Sequence, residues 1–511
     1  MGICSKLGGM SLAIGLLTAG CSEQTAPVAP SEQSRPDIAV EAPLPDATRD
    51  ALNARLDAMM EVYSPVGYSV AIFRGDALVF ERHDGFERIS RPDVPNERSL
   101  YAVFSMSKLF FLVAVMQSVE RGELDLDAPI GEYVDGLPTA WQVLPVRQLL
   151  EHASGLPEYY FHPNVPASVE AAMDLVREAD FLNPPGAVSR YNQTNFLLVK
   201  MALEQVSGRT YADLVQTDQM ARLGLRDTVF GGRRLANQDR IVLYRGQDEN
   251  GDLLASEFPA YPPYVHSSVG LNTSLSDLKT WTRALLRGEL VARQTLLDHW
   301  QPRPLADGQT GAYATGWEYQ NLGTFTTVGH GGGGRVNFMH AFRTDAPDEN
   351  VTVIYLDNGG PRDTSARRLS AMLANEVMPG IATPLQILFE DLTPAYRAQG
   401  WPAMLERLDA YAAEQALDAT DNEALLNSFG YNLLNVYGAP AAQDAFRTNV
   451  ERYPGSANTH DSLGEAIRAA GDPASALDHY RHALALEPGN ARMAAIVADL
   501  EAELARAASA E

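Results

Sequence analysis

The sequence predicts an α+β domain, an antiparallel sheet flanked by helices with a helical subdomain, followed by an all-α helical-repeat module. Three observations predict it. Strand-like runs with turn signals stand at 67–80 and again at 340–356, long helical patterns fill the interval between them, and the residues after 420 repeat with a period of 34. Strands at both ends of a helix-rich interval imply one sheet closed by both termini of the domain. At 511 residues, with 45% hydrophobic and 21% charged residues, the chain is long enough for a large core and ordinary enough in composition to fold. Its formal charge of −25 opposes a polyanion partner, so nucleic acid is excluded.

Residues 1–20 carry Lys6, a short apolar stretch at 12–17 and the small residues Thr18-Ala19-Gly20 before Cys21, the pattern of a secretory signal peptide. The stretch is shorter than the roughly 20 apolar residues a spanning helix requires. It resembles a bacterial lipoprotein signal. That resemblance implies that Cys21 is lipidated as the first mature residue and that the protein faces the periplasm on a lipid anchor, with plain secretion as the alternative. Cys4 and Cys21 are the only two cysteines, so the folded part has neither a disulfide nor a thiolate metal site. Residues 21–45, rich in Pro, Ser, Ala and Glu without an apolar period, read as a flexible tether.

The first domain is expected over 46–385. A helix over 46–60 leads into Gly67-Tyr68-Ser69-Val70-Ala71-Ile72-Phe73, the turn Arg74-Gly75-Asp76, and Ala77-Leu78-Val79-Phe80, a β-hairpin. Residues 340–343 and 351–356 form a second strand pair around Pro347-Asp348-Glu349-Asn350. The repeat module is expected over 386–511. Phe429-Gly430 recurs as Leu463-Gly464, Ala442 as Ala476, Phe446 as Tyr480, and Tyr453-Pro454 as Glu487-Pro488. That spacing is the period of tetratricopeptide arrays: glycine lets paired helices approach, the aromatic fills the gap between repeats, and proline ends the second helix. Two repeats are few, so 386–417 and 491–507 are expected to cap them as further helices, and the module is a candidate surface for a protein partner.

Lysine is scarce, occurring only at positions 6, 108, 200 and 279, which makes Lys108 informative. It follows Phe104-Ser105-Met106-Ser107 and opens an apolar run long enough for a buried helix over 104–115. A buried ammonium is either paired or pushed toward the neutral amine, which is a general base; arginine could not serve in that way. The three-residue spacing brings Ser105 and Lys108 to one helical face. At a helix start the N–H of Ser105 is also left to donate to a developing oxyanion. Ser-x-x-Lys alone is a weak signal, because a capping serine and a snorkelling lysine explain it equally well. The chain holds a second copy, Ser276-Asp277-Leu278-Lys279, that reads as a helix N-terminus capped by Thr273 or Ser274, with Trp281 and Leu285 inward.

Further segments add to the first copy: Leu149-Leu150-Glu151-His152-Ala153-Ser154-Gly155-Leu156-Pro157, then Tyr191-Asn192-Gln193, then Gly329-His330-Gly331-Gly332-Gly333-Gly334 ahead of a strand. A glycine run there is expected to let a substrate backbone approach closely. In order and wording these motifs resemble the β-lactamase-related serine hydrolases, the group with class C β-lactamases, D-Ala-D-Ala carboxypeptidases, D-aminopeptidases and related esterases. The resemblance covers roughly 50–380, including Gly270-Leu271-Asn272-Thr273 and Thr315-Gly316-Trp317.

This resemblance implies a β-lactamase/transpeptidase-like fold and a serine acyl hydrolase that needs no cofactor and acts through an acyl-enzyme on a small ester, peptide or β-lactam-like substrate. It implies that Ser105 attacks, that Lys108 and Tyr191 share the general-base role, that Gln193, His330 and Gly332 line the substrate site, and that Gly333 gives the second oxyanion N–H. Two positions depart from the family pattern. Gln193 stands where Tyr-x-Asn has asparagine, and His330 stands where the family's β-lactamases have lysine, so esterase or peptidase activity is expected before β-lactamase activity. The ten histidines include no His-Glu-x-x-His, and no Lys-Ser or Lys-Thr follows the glycines at 331–334, so neither a metal hydrolase nor a phosphate loop is expected. The alternative from another class is an inactive envelope scaffold that binds a partner through its repeat module.

Overall fold

The computed structural model describes residues 37–160, 165–231, 240–248, 250–256, 261–361 and 365–508. The signal peptide, Cys21 and most of the tether lie outside the described residues.

Helix α1, Asp46–Tyr63, places Leu52, Leu56, Met59, Val62 and Tyr63 on one buried stripe and stops at Ser64, whose φ of 51° is left-handed. Strands β1 (Gly67–Arg74) and β2 (Ala77–Gly85) form the expected hairpin, turning at Gly75 with φ +61°. The remaining strands of the sheet are β3 (Tyr313–Ala314), β4 (Trp317–Asn321), β5 (Phe325–Gly332), β6 (Val336–Arg343) and β7 (Asn350–Asp357). They run β2-β1-β7-β6-β5-β4-β3, every neighbour antiparallel, so β1 from the start of the domain pairs with β7 from its end. Both faces of the sheet are covered. Tyr68, Val70 and Ile72 of β1 enter one hydrophobic core, Ala71 and Phe73 the other.

Helix α2, Lys108–Glu120, lies on the second face and is buried from Lys108 through Ser118. A helix apolar all round belongs inside a large domain, and this one is packed by α3 (Gln193–Ser207) and α4 (Leu275–Leu286). The other face carries α1 and α5 (Ala366–Val377). The expectation of a single sheet needs correction. Tyr101–Ala102, Leu271–Thr273 and Val229–Phe230 form a second small sheet, and Leu243–Gln247 pairs in parallel with Gly359–Gly360 in a third. Strands of two or three residues carry too short a pattern to be read as such.

The C-terminal region is all helix: α6 (Pro384–Glu414), interrupted at Gly400 with φ 72°, then α7 (Ala419–Tyr437), α8 (Ala439–Arg452), α9 (Ala457–Ala469), α10 (Pro473–Leu486) and α11 (Ala491–Ala508). A side chain at Gly430 would begin 2.5 Å from the Phe446 ring, and one at Gly464 would begin 3.2 Å from that of Tyr480. The recurring aromatic therefore packs on the glycine of the preceding helix.

Candidate active site

The segment holding Ser105 is a 3-10 turn, Phe104–Ser107, and the α-helix proper starts only at Lys108. The turn is sharp because Phe104 adopts φ +46°, a left-handed conformation costly for a bulky residue. Its neighbours hold it there. Val103 N–H donates to Leu271 O at 3.1 Å, Leu271 N–H donates to Ser107 Oγ at 3.1 Å, and Ser107 Oγ donates to Phe104 O at 2.5 Å. The segment Gly270-Leu271-Asn272-Thr273 thus braces the turn from the adjoining small sheet. Ser105 itself is half-buried.

Lys108 has no exposed surface. Its Nζ donates to the Ser268 carbonyl at 2.9 Å and lies 4.9 Å from the Tyr191 ring centroid and 5.1 Å from that of Phe196. Burial pushes its pKa below the ordinary lysine value, while the Tyr191 hydroxyl beside it and the more distant Glu158 and Glu318 oppose the shift. Tyr191 stacks on Tyr313 with centroids 5.9 Å apart, and its ring lies 4.8 Å from His152 and 6.0 Å from His330.

Gln193 is the first residue of α3, after Asn192 caps the helix by accepting from Asn195 N–H. It is buried, its N–H donates to Glu158 Oε2 at 2.5 Å, and its side-chain oxygen has no protein partner among the described residues. Burial raises the Glu158 pKa, in part against the N–H groups of Tyr160 and Gln193.

His330 is on β5 and 1% exposed. Its Nδ1 faces two acceptors, Gly331 O at 2.7 Å and Glu318 Oε1 at 3.4 Å, which places the proton there and leaves Nε2 as an acceptor without a partner among the described residues. Burial, only partly offset by Glu318, lowers its pKa to about 4, so the imidazole is neutral near pH 7. His152, fully buried with φ +56°, has the opposite tautomer: Nδ1 accepts from Asn192 N–H at 3.0 Å, so the proton sits on Nε2.

The glycine run does not simply precede a strand. Gly329 to Gly332 end β5, and Gly333 and Gly334, with φ +58° and +74°, turn into β6. The glycines are also required by packing. A side chain at Gly332 would begin 2.3 Å from Val103 O, one at Gly333 3.0 Å from the Phe104 ring, and one at Gly331 3.0 Å from the Arg367 guanidinium. The run lets β5 close onto the turn that carries Ser105. Beside it, β4 pairs with β5 only from Thr326 to Gly329, so the strand edge is open beyond. There Gly331 N–H is taken by Glu318 Oε2 at 3.2 Å.

Ser105, Lys108, Tyr191, His330, Gly332 and Gly333 are therefore gathered between the start of α2 and the open edge of β5, with Gln193 two residues beyond Tyr191 at the start of α3. His152 and Tyr313 also pack on Tyr191, and although they stand in or beside the quoted motifs, their type and spacing alone carry no signal of a site. Glu318 follows Trp317 of the quoted Thr315-Gly316-Trp317 directly, and Arg367, which pairs with it through Nε at 2.6 Å, had no signal in the sequence. The second copy of Ser-x-x-Lys lies on α4, with Ser274 as its cap and Trp281 and Leu285 buried.

A family model described as Beta-lactamase matches residues 52–376. Penicillin-binding protein 4* of Bacillus subtilis is 25% identical over 334 residues, 61% of this chain and 72% of that protein. D-aminopeptidase of Cereibacter sphaeroides is 26% identical over 349 residues, 65% of this chain; the match spans 64% of that relative's length. Among solved structures, D-amino acid amidase from Ochrobactrum anthropi SV3 superposes with a TM-score of 0.55 at 20% identity, over 66% of this chain and 99% of that one. The octameric penicillin-binding protein homologue from Pyrococcus abyssi gives 0.53 at 20% identity, over 63% of this chain and 75% of that one, and these two likenesses establish the fold.

Proposed function

Because the chain belongs to the beta-lactamase family, we propose that it is a serine acyl hydrolase working through an acyl-enzyme at Ser105. The observation that carries this reading is the state of Lys108: an amine with no exposed surface, held beside the Tyr191 phenol, whose hydrogen bond goes to a carbonyl. Such an amine is disposed to give up its proton and take another. Ser105 Oγ attacks the acyl carbon while its proton passes to the Lys108 and Tyr191 pair. The oxyanion is received by the N–H groups of Ser105 and Gly333, and the pair returns the proton to the leaving group. Water, activated by the same groups, then releases the acid.

The substrate is a small ester or amide, with a D-amino-acid peptide or amide, as the names of the relatives suggest, ahead of a β-lactam. A neutral His330 supports that order, because it supplies no permanent cation for a substrate carboxylate. A fluorophosphonate probe tests the assignment: it labels wild-type protein at Ser105, and Ser105→Ala abolishes both labelling and turnover of an activated ester. Unlabelled wild-type protein would instead favour the scaffold reading.

The module over 386–511 is proposed to be tetratricopeptide-like and to bind a protein partner. The repeated contacts of Gly430 with Phe446 and Gly464 with Tyr480 support the repeat assignment. Residues 1–20 are proposed as a signal peptide, Cys21 as the lipidated residue, and 21–45 as the tether of a periplasm-facing protein, on the sequence pattern alone.

A further inference from the structure

On the face of the sheet opposite α2, between β4 to β6 and the helices α5 and α6, lies a cavity of about 480 Å³. That volume is within the range of small-molecule sites. Leu322, Met339, Ala371 and Ile381 give it apolar walls, Ala371 and Ile381 being 4% and 1% exposed. The wall toward the catalytic cleft is made of side chains. Tyr313, Glu318 and Arg367 line the cavity, and the same three touch Tyr191 or the glycine run. Tyr313 stacks on Tyr191, Glu318 accepts from Gly331 N–H, and Arg367 lies where a side chain at Gly331 would begin.

Arg367 pairs with Glu318 and keeps 63% of its side chain exposed, so it can swing aside by breaking that ion pair, without unpacking a core residue. The open edge of β5 provides the alignment. A ligand lying extended along that edge directs successive groups to opposite faces of the sheet. A group next to the one presented to Ser105 therefore points to the face where the cavity begins.

We propose that this cavity is a substrate subsite that takes an apolar group, an aryl ring or a medium-length aliphatic chain, adjacent to the acyl carbon attacked by Ser105. The group enters past Arg367 and lies against Leu322, Met339, Ala371 and Ile381. The proposal rests on Ser105 being the nucleophile, and its test separates the two.

The kcat/KM of p-nitrophenyl acetate and p-nitrophenyl octanoate is measured for the full chain, for Ala371→Phe, which fills the cavity, and for Ser365→Trp at its exposed rim. Wild type is expected to favour octanoate at least ten-fold, and both variants to reduce the octanoate-to-acetate ratio at least ten-fold. Calorimetric titration of sodium octanoate into Ser105→Ala should show binding that the added Ala371→Phe removes. A wild type indifferent to chain length, or octanoate binding untouched by Ala371→Phe, overturns the subsite. A wild type that turns over neither ester and is not labelled by fluorophosphonate overturns the nucleophile assignment; octanoate binding lost on filling the cavity would then still support the pocket.

Discussion

Ser105-Met106-Ser107-Lys108 and Ser276-Asp277-Leu278-Lys279 share a spacing and a depth, with Lys108 0% and Lys279 1% exposed, yet their surroundings differ completely. Lys279 donates to Glu81 at 2.8 Å, to the Ile38 carbonyl at 3.0 Å and to Glu97 at 3.3 Å. Lys108 donates to one neutral carbonyl at 2.9 Å and otherwise faces aromatic rings. Two adjacent carboxylates tie Lys279 into an ion-paired cluster, whereas Lys108 pairs with no carboxylate among the described residues and burial favours its neutral amine. The motif thus specifies only a spacing, and the shell around the lysine sets what that lysine can do.

The largest effect that could break this comparison is catalytic. Lys108→Arg keeps a charge but removes proton exchange, and it is expected to lower kcat by about 10³. Lys279→Arg keeps what that site uses, so turnover should stay within a few-fold of wild type. Steady-state assays on one activated ester decide it, and equal losses in the two variants would erase the distinction.

Stability should move in the opposite sense. Lys279→Met takes the ammonium from Glu81 and Glu97, leaving Glu81 only its His83 contact at 2.9 Å, at a cost of about 3 kcal/mol in denaturant unfolding. Lys108→Met removes a desolvated amine that no carboxylate among the described residues pairs with, and it should cost less than about 1 kcal/mol or stabilise the protein.

Acid sharpens the contrast further. Burial holds His330 at about 4 and His340 at about 3, against about 6.5 in an unfolded chain. Between those values the unfolded state binds more protons, so their contribution is complete above pH 6.5 and falls away as pH drops toward the folded values. Each histidine is expected to remove about 2 kcal/mol between pH 7 and pH 5. His340→Gln should remove a corresponding share of that slope in paired denaturation curves. Turnover should rise with pH through the titration of Lys108, whose pKa lies below that of ordinary lysine.

How much of this was legible depended on how local the signal was. The hairpin at Gly75, the inward stripe of α1 and the 34-residue repeat could be read because each is written within a few turns of chain. Ser105, Lys108, Tyr191 and His330 stood out through their motifs, and the sequence could also read the second Ser-x-x-Lys as a capped helix start. What the glycine run does was not legible, since its neighbours, Val103, Phe104 and Arg367, are far from it in sequence. Glu318 and Arg367 meet across 49 residues and carry no motif, so only the fold reveals the pair. The 3-10 turn under Ser105 was hidden for a different reason: an apolar run gives a helix but not the pitch of its first turn.

The smallest effect separates the two serines. Ser276 Oγ donates to Asp37 Oδ1 at 2.6 Å, and that bond is the chief reason the Asp37 carboxyl sits below its usual range. Lys279 holds the Ile38 carbonyl next to it, so the second Ser-x-x-Lys clasps the segment through which the chain enters the domain. Ser276→Ala removes one hydrogen bond, worth about 1 kcal/mol, and should quicken proteolytic cutting near Asp37 while leaving ester turnover and fluorophosphonate labelling intact. Ser105→Ala should do the reverse, ending both without altering the proteolytic pattern. If Ser276→Ala silenced the protein as fully as Ser105→Ala, the two copies would be acting as one site, and the lysine's neighbours would no longer explain which of them performs chemistry.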